Sequence, residues 1–391
     1  MRLPLFFLFG SLCFAQGRAP SITDGAYQGR RAWVLENGLI RVSILSGGGH
    51  IAETRLVTGD PKKDLNPMRV PHYPTIDPHT YVPSKHDAIY GGGPSRWLMS
   101  GYMGHLVCFP SYGPPSDAET KAGLGGHGEA PIVEWKKIAI EAEVDAVTLR
   151  YGADLKKTQF RMERAVTLRR GERHISVEER VENLTPFDRP INWMQHATFG
   201  PPFVEPGKTA MDASATRGLV SGGRAASLAP GSEVNWPRGK TATGGGPADL
   251  RPFQPTPNSG VYYTMRMNPA RQEQFFTMYH PAYRVLIGYV FPAADNPWIA
   301  DWQENRSIAA PPWNSQVIAR GIEFGSSPFD EGLRKSVERG SFLGTPSYRW
   351  VGGGERLRTE WTLGLFEIPE GFRGVKDLRS GVNGQPVMTV R

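Results

Sequence analysis

Hydrophobic and polar residues alternate along much of this chain, a pattern typical of strands in a sheet that is buried on one face. The alternation is clearest between residues 132 and 181, where a turn at residues 170–172 separates two such runs. We therefore expect an antiparallel meander here. The apolar positions that recur in it are Phe160, Met162, Val166, Leu168, Ile175, Val177 and Val181.

The same pattern predicts strands elsewhere in the chain. Asn37-Gly38 is a strong hairpin signal between two β-rich runs in residues 32–45. Further strands are expected within 261–266, 274–279, 283–290, 317–324 and 357–365, and only residues 328–337 are predicted to be helical. Residues 60–125 and 200–258 are predicted to form long loops. The fold class predicted is all-β, a large antiparallel β-sandwich with long loops and little helix, built as a single domain from residue 16 to 391.

Composition supports a globular protein and excludes some functions. Of 391 residues, 39% are hydrophobic and 21% charged, and the 46 glycines and 34 prolines favour turns over long helices. The net charge of +7 is dispersed along the chain. Basic residues alternate with glutamates on the predicted strands, as in Arg161, Glu163 and Arg164, a pattern expected for the solvated face of a sheet. Without a basic patch or a nucleic-acid-binding motif, we do not expect a nucleic-acid partner.

The N-terminus has the features of a signal peptide spanning residues 1–15. Arg2 precedes an apolar run, and Cys13-Phe14-Ala15 offers small residues at the cleavage positions. A lipid anchor at Cys13 is the alternative, but Leu12 is too large for the position before a lipidated cysteine. We therefore expect a secreted or periplasmic protein, with no membrane span after cleavage.

Cleavage would leave Cys108 as the remaining cysteine. A single thiol excludes an intramolecular disulfide and a thiolate metal cluster. Cys108 lies in an apolar sequence and is predicted to be a small buried hydrophobe. His50, His72, His79 and His86 are too scattered for a metal-ligand motif, so no metal site and no cofactor are predicted.

Two histidines and one glutamate are the candidates for chemistry. His196 lies on an aromatic strand after the turn Val181-Glu-Asn-Leu-Thr, His127 lies in Gly-Gly-His-Gly-Glu, and Glu323 lies in Gly-Ile-Glu-Phe-Gly. Imidazoles and carboxylates of this kind exchange protons near neutral pH. Each also has a structural alternative: a hydrogen-bonded structural histidine for His196, a solvated turn for His127, and a salt bridge for Glu323.

These motifs resemble the galactose mutarotase-like superfamily, whose name-giving members are aldose 1-epimerases. The resemblance spans residues 30–368 and preserves the order histidine, histidine, glutamate. It implies ring opening and closure of a mono- or oligosaccharide by general acid/base catalysis, without a metal or cofactor. It also implies that Glu323 is the base, that His196 is the acid, and that His127 hydrogen-bonds the sugar.

The sequence departs from that family at two positions that normally bind substrate. The usual arginine and aspartate have no clear matches, and Arg96 and Asp301 are only loose candidates. His105, Glu129 and Trp302 are further candidates for lining the pocket, although Glu129 also suits a surface role and a loop tryptophan also suits the core.

Two other functions fit the sequence. A non-catalytic carbohydrate-binding sandwich would use the same fold and the aromatic loops. A polysaccharide lyase or glycoside hydrolase on the related fold is the other alternative. The motifs do not decide among them.

Overall fold

The computed structural model describes residues 17–223, 228–242, 246–254 and 256–391. The predicted signal peptide, residues 1–15, lies outside the described residues. So does Cys13, the position of the alternative lipid anchor.

Strands dominate the described part of the chain. The first nine are β1 (Ser21–Tyr27), β2 (Arg30–Glu36), β3 (Ile40–Leu45), β4 (Ile51–Leu56), β5 (His105–Cys108), β6 (Lys136–Ala142), β7 (Ala146–Leu155), β8 (Phe160–Arg169) and β9 (His174–Asn183). The next nine are β10 (Arg189–Ile191), β11 (Met194–Phe199), β12 (Ala210–Ala213), β13 (Ala215–Gly222), β14 (Glu233–Asn235), β15 (Arg238–Lys240), β16 (Pro247–Asp249), β17 (Ser259–Met267) and β18 (Glu273–His280). The last nine are β19 (Val285–Pro292), β20 (Trp298–Asn305), β21 (Ile318–Gly325), β22 (Ser341–Phe342), β23 (Thr345–Pro346), β24 (Arg349–Val351), β25 (Arg356–Glu367), β26 (Val375–Ser380) and β27 (Pro386–Val390).

The helices are short. They are α1 (Pro83–Tyr90), α2 (Arg96–Gly101), α3 (Asp117–Lys121) and α4 (Leu333–Arg339), with 3-10 turns at Pro78–Thr80, Ala130–Ile132 and Val382–Gly384. Within the described ranges, no helix is long and apolar enough to cross a membrane.

Two large antiparallel sheets form the sandwich. One has the strand order β1-β2-β3-β4-β5-β11-β21-β20-β17-β13-β14-β15-β16, and the other β12-β18-β19-β25-β9-β8-β7-β6. Apolar side chains from both sheets, such as Val107, Ile322, Val166 and Leu363, interlock in one core cluster between them. On its other face, the first sheet carries a second cluster with Leu106, Cys108, Met194 and Ala319 from its strands and Leu98, Tyr102, Tyr112, Ile132, Trp313 and Val317 from the surrounding segments.

Most predicted strands are confirmed, and the all-β sandwich is as expected. The Asn37-Gly38 hairpin joins β2 and β3, and Gly38 has φ of 78°, a conformation that glycine adopts without strain. The 160–181 alternation forms β8 and β9, which pair in register.

Four expectations were wrong. The segment 60–125, expected to be a long loop, contains the helices α1, α2 and α3 and the strand β5, so helix is not confined to the segment expected at 328–337. Residues 200–258 contain five strands rather than a loop, since the short strands β12 to β16 extend the sheets there. The helix expected at 328–337 begins five residues later, at Leu333. Arg164 faces the core rather than solvent, where it makes a fully buried ion pair with Glu179 at 2.6 Å.

Candidate active site

Strand pairing brings His196 and Glu323 together. β11 and β21 are adjacent and antiparallel, and His196 lies directly opposite Glu323 in their register. Directly opposite residues share a face of a sheet, so both side chains point into the second cluster. The imidazole Nε2 lies 3.0 Å from Oε1 of Glu323, and both side chains are almost fully buried.

Gly321, two residues before Glu323, leaves room for this contact. A Cβ at position 321 would lie 3.0 Å from Cε1 of His196 and 3.0 Å from Cε3 of Trp302. A side chain there would push the imidazole away from the carboxylate. The glycine that begins Gly-Ile-Glu-Phe-Gly is therefore part of the site.

Hydroxyl groups contact the two polar atoms of the pair that do not face each other, Nδ1 of His196 and Oε2 of Glu323. Nδ1 of His196 lies 3.0 Å from the Thr198 hydroxyl and 3.4 Å from that of Tyr102. On the other side, the Tyr112 hydroxyl donates to Oε2 of Glu323 and lies 2.7 Å from the Tyr262 hydroxyl. These contacts fix the orientation of both catalytic candidates. Tyr102, Tyr112 and Tyr262 had no motif in the sequence to identify them.

Burial decides the protonation of the pair. It raises the pKa of Glu323 well above its usual range, with a further contribution from the Asp330 carboxylate. Burial also lowers the pKa of His196 well below its usual range, helped by the nearby imidazoles of His127 and His105. Both shifts disfavour the charged form of each group. The pair therefore retains one proton across a wide pH range, shared between Oε1 and Nε2.

His127 completes the group from the loop that precedes the 3-10 turn Ala130–Ile132. Its ring centroid lies 5.3 Å from that of His196, with the two planes perpendicular. The backbone N–H of Gly113 donates to Nδ1 of His127 at 3.3 Å, and the Cys108 thiol lies 3.4 Å from the same atom. An Nδ1 that accepts from an amide places the proton on Nε2. Burial lowers the pKa of His127 to about 4, so near neutral pH it is an uncharged hydrogen-bond donor.

Arg69 is an arginine of the site that sequence reasoning missed. Its guanidinium lies over the ring of Tyr102, 4.7 Å from the centroid, and 5.5 Å from that of Trp313. Nη1 donates to the carbonyl of Tyr102 at 2.6 Å, whereas the buried Nη2 makes no hydrogen bond with the described residues. Its charge contributes to lowering the pKa of His196. No motif marks Arg69, which reaches the site because its backbone pairs with the end of β11.

A cavity of about 600 Å³ adjoins the pair through Trp302, although His196 and Glu323 do not themselves line it. Its size is within the range of about 300–1,000 Å³ that is usual for ligand sites. We call it the Trp302 cleft. Trp302 lies both in its wall and against His196, at 6.3 Å between ring centroids. Its wall includes Tyr262, Trp302, Glu304, Phe329, Asp330 and Phe342.

The structure places Trp302 on β20 rather than in a loop, where it contacts His196 and lines the cleft, but it places Arg96 and His105 elsewhere. Arg96 lies on α2, where it contacts Asp87 at 3.4 Å and covers the ring of Trp97. His105 points from β5 into the sandwich core, where it bonds Gln195 at 2.9 Å and packs on Trp361. Alternation along β5 is the reason, because Leu106 and Cys108 occupy the site face.

Glu129 and Asp301 do not line the cleft, and their carboxylates bond other groups of the protein. The buried Glu129 carboxylate accepts from the backbone N–H of Lys157 and from the N–H and hydroxyl of Thr158. Asp301 points into the core and pairs with Arg320 at 2.5 Å, both side chains being fully buried. These two substrate-binding predictions are not supported by the geometry.

Metal-ligating side chains do not converge in the described ranges. No group of three or more His, Cys, Asp or Glu residues there is placed to hold a metal ion. The Glu323 carboxyl and the His196 imidazole, which contact each other, are groups that can take up and release protons.

The fold is shared with solved structures. A protein of Klebsiella pneumoniae described as a candidate aldose 1-epimerase superposes with a TM-score of 0.61 at 13% identity, covering 89% of this chain and 83% of that one. A galactose mutarotase-like protein of Clostridium acetobutylicum gives 0.59 at 12% identity, covering 90% and 99%. A galactose mutarotase-like protein of Lactobacillus casei gives 0.51 at 13%, covering 86% and 100%.

The chain has the galactose mutarotase-like fold. At these identities the likeness concerns the galactose mutarotase-like architecture and not the reaction. Residues 90–239 also match a domain of unknown function, DUF4432, a segment that includes His127 and His196 and ends before Glu323. No curated protein matches the sequence.

Proposed function

We propose that this protein is an exported isomerase of the aldose 1-epimerase type, which interconverts sugar anomers by opening and closing the ring. The observation that supports it most is the 3.0 Å contact between His196 and Glu323, with His127 beside it and a ligand-sized cleft adjoining. Anomer exchange needs one group that takes the proton of the anomeric hydroxyl and one that protonates the ring oxygen. An imidazole and a carboxyl group that hold one proton between them satisfy both needs.

In the proposed reaction, the proton that the pair shares moves from Oε1 of Glu323 to Nε2 of His196 when the sugar binds. Glu323 then removes the proton from the anomeric hydroxyl while His196 protonates the ring oxygen, and the bond from C1 to that oxygen breaks. Rotation about the C1–C2 bond presents the other face of the aldehyde, and the proton transfers run in reverse. His127, neutral with its proton on Nε2, would donate to the ring oxygen or a neighbouring hydroxyl. Arg69, rather than Arg96, would donate its unpaired Nη2 to a sugar hydroxyl.

The test is anomer exchange followed by polarimetry or exchange NMR over a panel of hexoses and pentoses. Glu323→Gln keeps the size of the side chain but removes the base, so we expect a loss of about 10²–10⁴-fold in turnover. Glu360→Gln is a matched control, because Glu360 lies on the surface with its side chain 67% exposed. No acceleration by the wild-type protein over buffer would refute the proposed reaction.

A second candidate function is carbohydrate binding without turnover. It is favoured by the burial of the two side chains, since only 6% of the His196 side chain and 3% of the Glu323 side chain are exposed. The double variant His196→Ala/Glu323→Gln separates the two functions. Calorimetric sugar affinity that survives both changes, together with no turnover by the wild-type protein, would select binding.

Export is part of the proposal and rests on the sequence of residues 1–15. Expression of the full chain in a bacterial host should yield protein outside the cytoplasm that begins at Gln16. Intact-mass measurement of that fraction checks the cleavage, and accumulation of the uncleaved chain in the cytoplasm would count against export.

A further inference from the structure

The Trp302 cleft adjoins the candidate catalytic pair through shared residues. Trp302 faces His196 and lines the cleft. Tyr262 also lines it, and its hydroxyl bonds that of Tyr112, which in turn donates to Glu323. A molecule that fills the cleft would therefore lie next to a ring bound at the pair. The proton-transfer steps leave this volume without a role.

The wall of the cleft combines aromatic faces with oxygen acceptors. Trp302 and Phe342, both partly exposed, supply the aromatic surface on which the C–H face of a sugar ring can stack. Tyr262 and Phe329 are buried in the wall, and the Arg339 guanidinium covers the Phe329 ring at 4.5 Å. Asp330 supplies an exposed carboxylate in the wall and makes no ion pair with another described residue. Aromatic faces next to a carboxylate acceptor suit a polyhydroxylated ring, which has both C–H faces and hydroxyl donors.

Charge restricts which sugar fits. Among the described residues of the cleft wall, Glu331 accepts two hydrogen bonds from Arg339, both at 2.7 Å, and Glu304 accepts from the Ser307 hydroxyl at 2.7 Å. The carboxylate of Asp330 lines the cleft and makes no ion pair with a described residue. An anionic ring beside Asp330 would be repelled, whereas a neutral ring would not.

We propose that the Trp302 cleft is a second sugar subsite, and that the preferred substrate is a neutral reducing disaccharide or longer oligosaccharide rather than a free monosaccharide. This rests on the proposed function. The reducing-end ring lies at His196 and Glu323, and the next ring lies on Trp302 with a hydroxyl donating to Asp330. Nothing covalent happens in the subsite, which contributes binding to the part of the substrate that does not react.

Gly222 provides a way to close the subsite without touching the pair. It lies opposite Tyr262 in the β13–β17 register, so a side chain at 222 would share the cleft face with Tyr262. A Cβ at this position would meet no atom of a described residue within 4 Å. Gly222→Leu therefore fills empty cleft volume. Gly93→Leu is the matched control, because Gly93 also has open space around it but does not line the cleft.

The experiment compares glucose with cellobiose and maltose for anomer exchange by NMR and for affinity by calorimetry. In the wild type we expect the kcat/KM of at least one disaccharide to exceed that of glucose by about 10- to 200-fold, the discrimination that pocket contacts commonly give. Gly222→Leu should abolish this advantage and leave glucose unchanged, and Gly93→Leu should keep it. Cellobiouronic acid, which carries a carboxylate on the second ring, should bind more weakly than cellobiose.

The outcomes separate this proposal from the reaction itself. Suppose that glucose exchanges, that neither disaccharide has a higher kcat/KM than glucose, and that Gly222→Leu changes neither disaccharide value. The subsite is then refuted and the isomerase is kept. If no sugar exchanges, the isomerase is refuted; a disaccharide affinity that Gly222→Leu weakens would then keep the subsite, and an unchanged affinity would refute it. Thermal melts confirm that both variants are folded.

Discussion

Replacing Asp301 by Asn tests whether this residue stabilises the fold or contacts substrate. The Asp301 carboxylate accepts from Arg320 and from the Tyr263 hydroxyl, each at 2.5 Å, and from Gln303 at 3.2 Å. Both side chains of the Asp301–Arg320 pair are 0% exposed. Asn would keep one acceptor oxygen but leave the guanidinium charge buried without a counter-charge. We expect the position to be structural.

The magnitude follows from the burial. Removing one partner of a buried ion pair costs about 3–5 kcal/mol. With an unfolding entropy of about 2.1 cal/mol/K per residue, this chain of 391 residues has about 0.8 kcal/mol/K, so Tm should fall by about 4–6 °C. The two backbone carbonyls that also accept from Arg320, those of Leu250 and Arg251, favour the lower end of that range.

Differential scanning calorimetry and urea unfolding measure the effect. Asp154→Asn is the control, because its pair with Arg161 is about half exposed and should change stability by less than about 1 kcal/mol. A double variant with Asp301→Leu and Arg320→Met should recover much of the loss, because it removes the unpaired charge. A normal Tm for Asp301→Asn, with a raised KM for sugar, would refute this reasoning and return Asp301 to the binding site.

Three further predictions follow from the site. Turnover should fall at low pH, where a second proton binds the imidazole of the pair. Since burial lowers the pKa of His196 below its usual 6.5, this acid limb should lie below pH 6.5. Since the pKa of Glu323 is raised, the pair should keep its last proton at pH values well above 4.5, the usual pKa of that carboxyl group. A limb centred above pH 6.5 would contradict this. Glu129→Gln should cost about 1.5–3 kcal/mol in urea unfolding and leave KM unchanged, because the described bonds of its carboxylate go to the turn at Lys157 and Thr158 and not to the cleft. Arg69→Met should raise KM for sugar about 10-fold or more in steady-state kinetics, through loss of a charged hydrogen bond, and an unchanged KM would exclude Arg69 from binding.

The sandwich and the three candidate groups could be predicted from the sequence. Period-two alternation is a local property of a strand with one buried face, so it located β8, β9 and β25 without knowledge of their partners. The turn at Asn183 ends β9 through the side chain of that residue, which bonds the backbone of the following turn. These signals lie within a few residues of one another.

One error could have been avoided from sequence alone. Asp301 and Trp302 are neighbours on one strand, and consecutive side chains on a strand point to opposite faces. At most one of them could line the site. The structure assigns the site face to Trp302, and the apolar Ile299 accompanies Asp301 on the core face.

The remaining choices depended on tertiary structure, because they concern which face of a strand meets which partner. His196 and Glu323 are 127 residues apart, and only the β11–β21 register makes them opposite each other. The β5–β11 register places His105 on the core face, against Trp361, and Leu106 on the face of the second cluster. Arg69 reaches Tyr102 from a segment without regular structure. Alternation specifies two faces but not which one is inside, so the members of the site are decided only when the sheets pack.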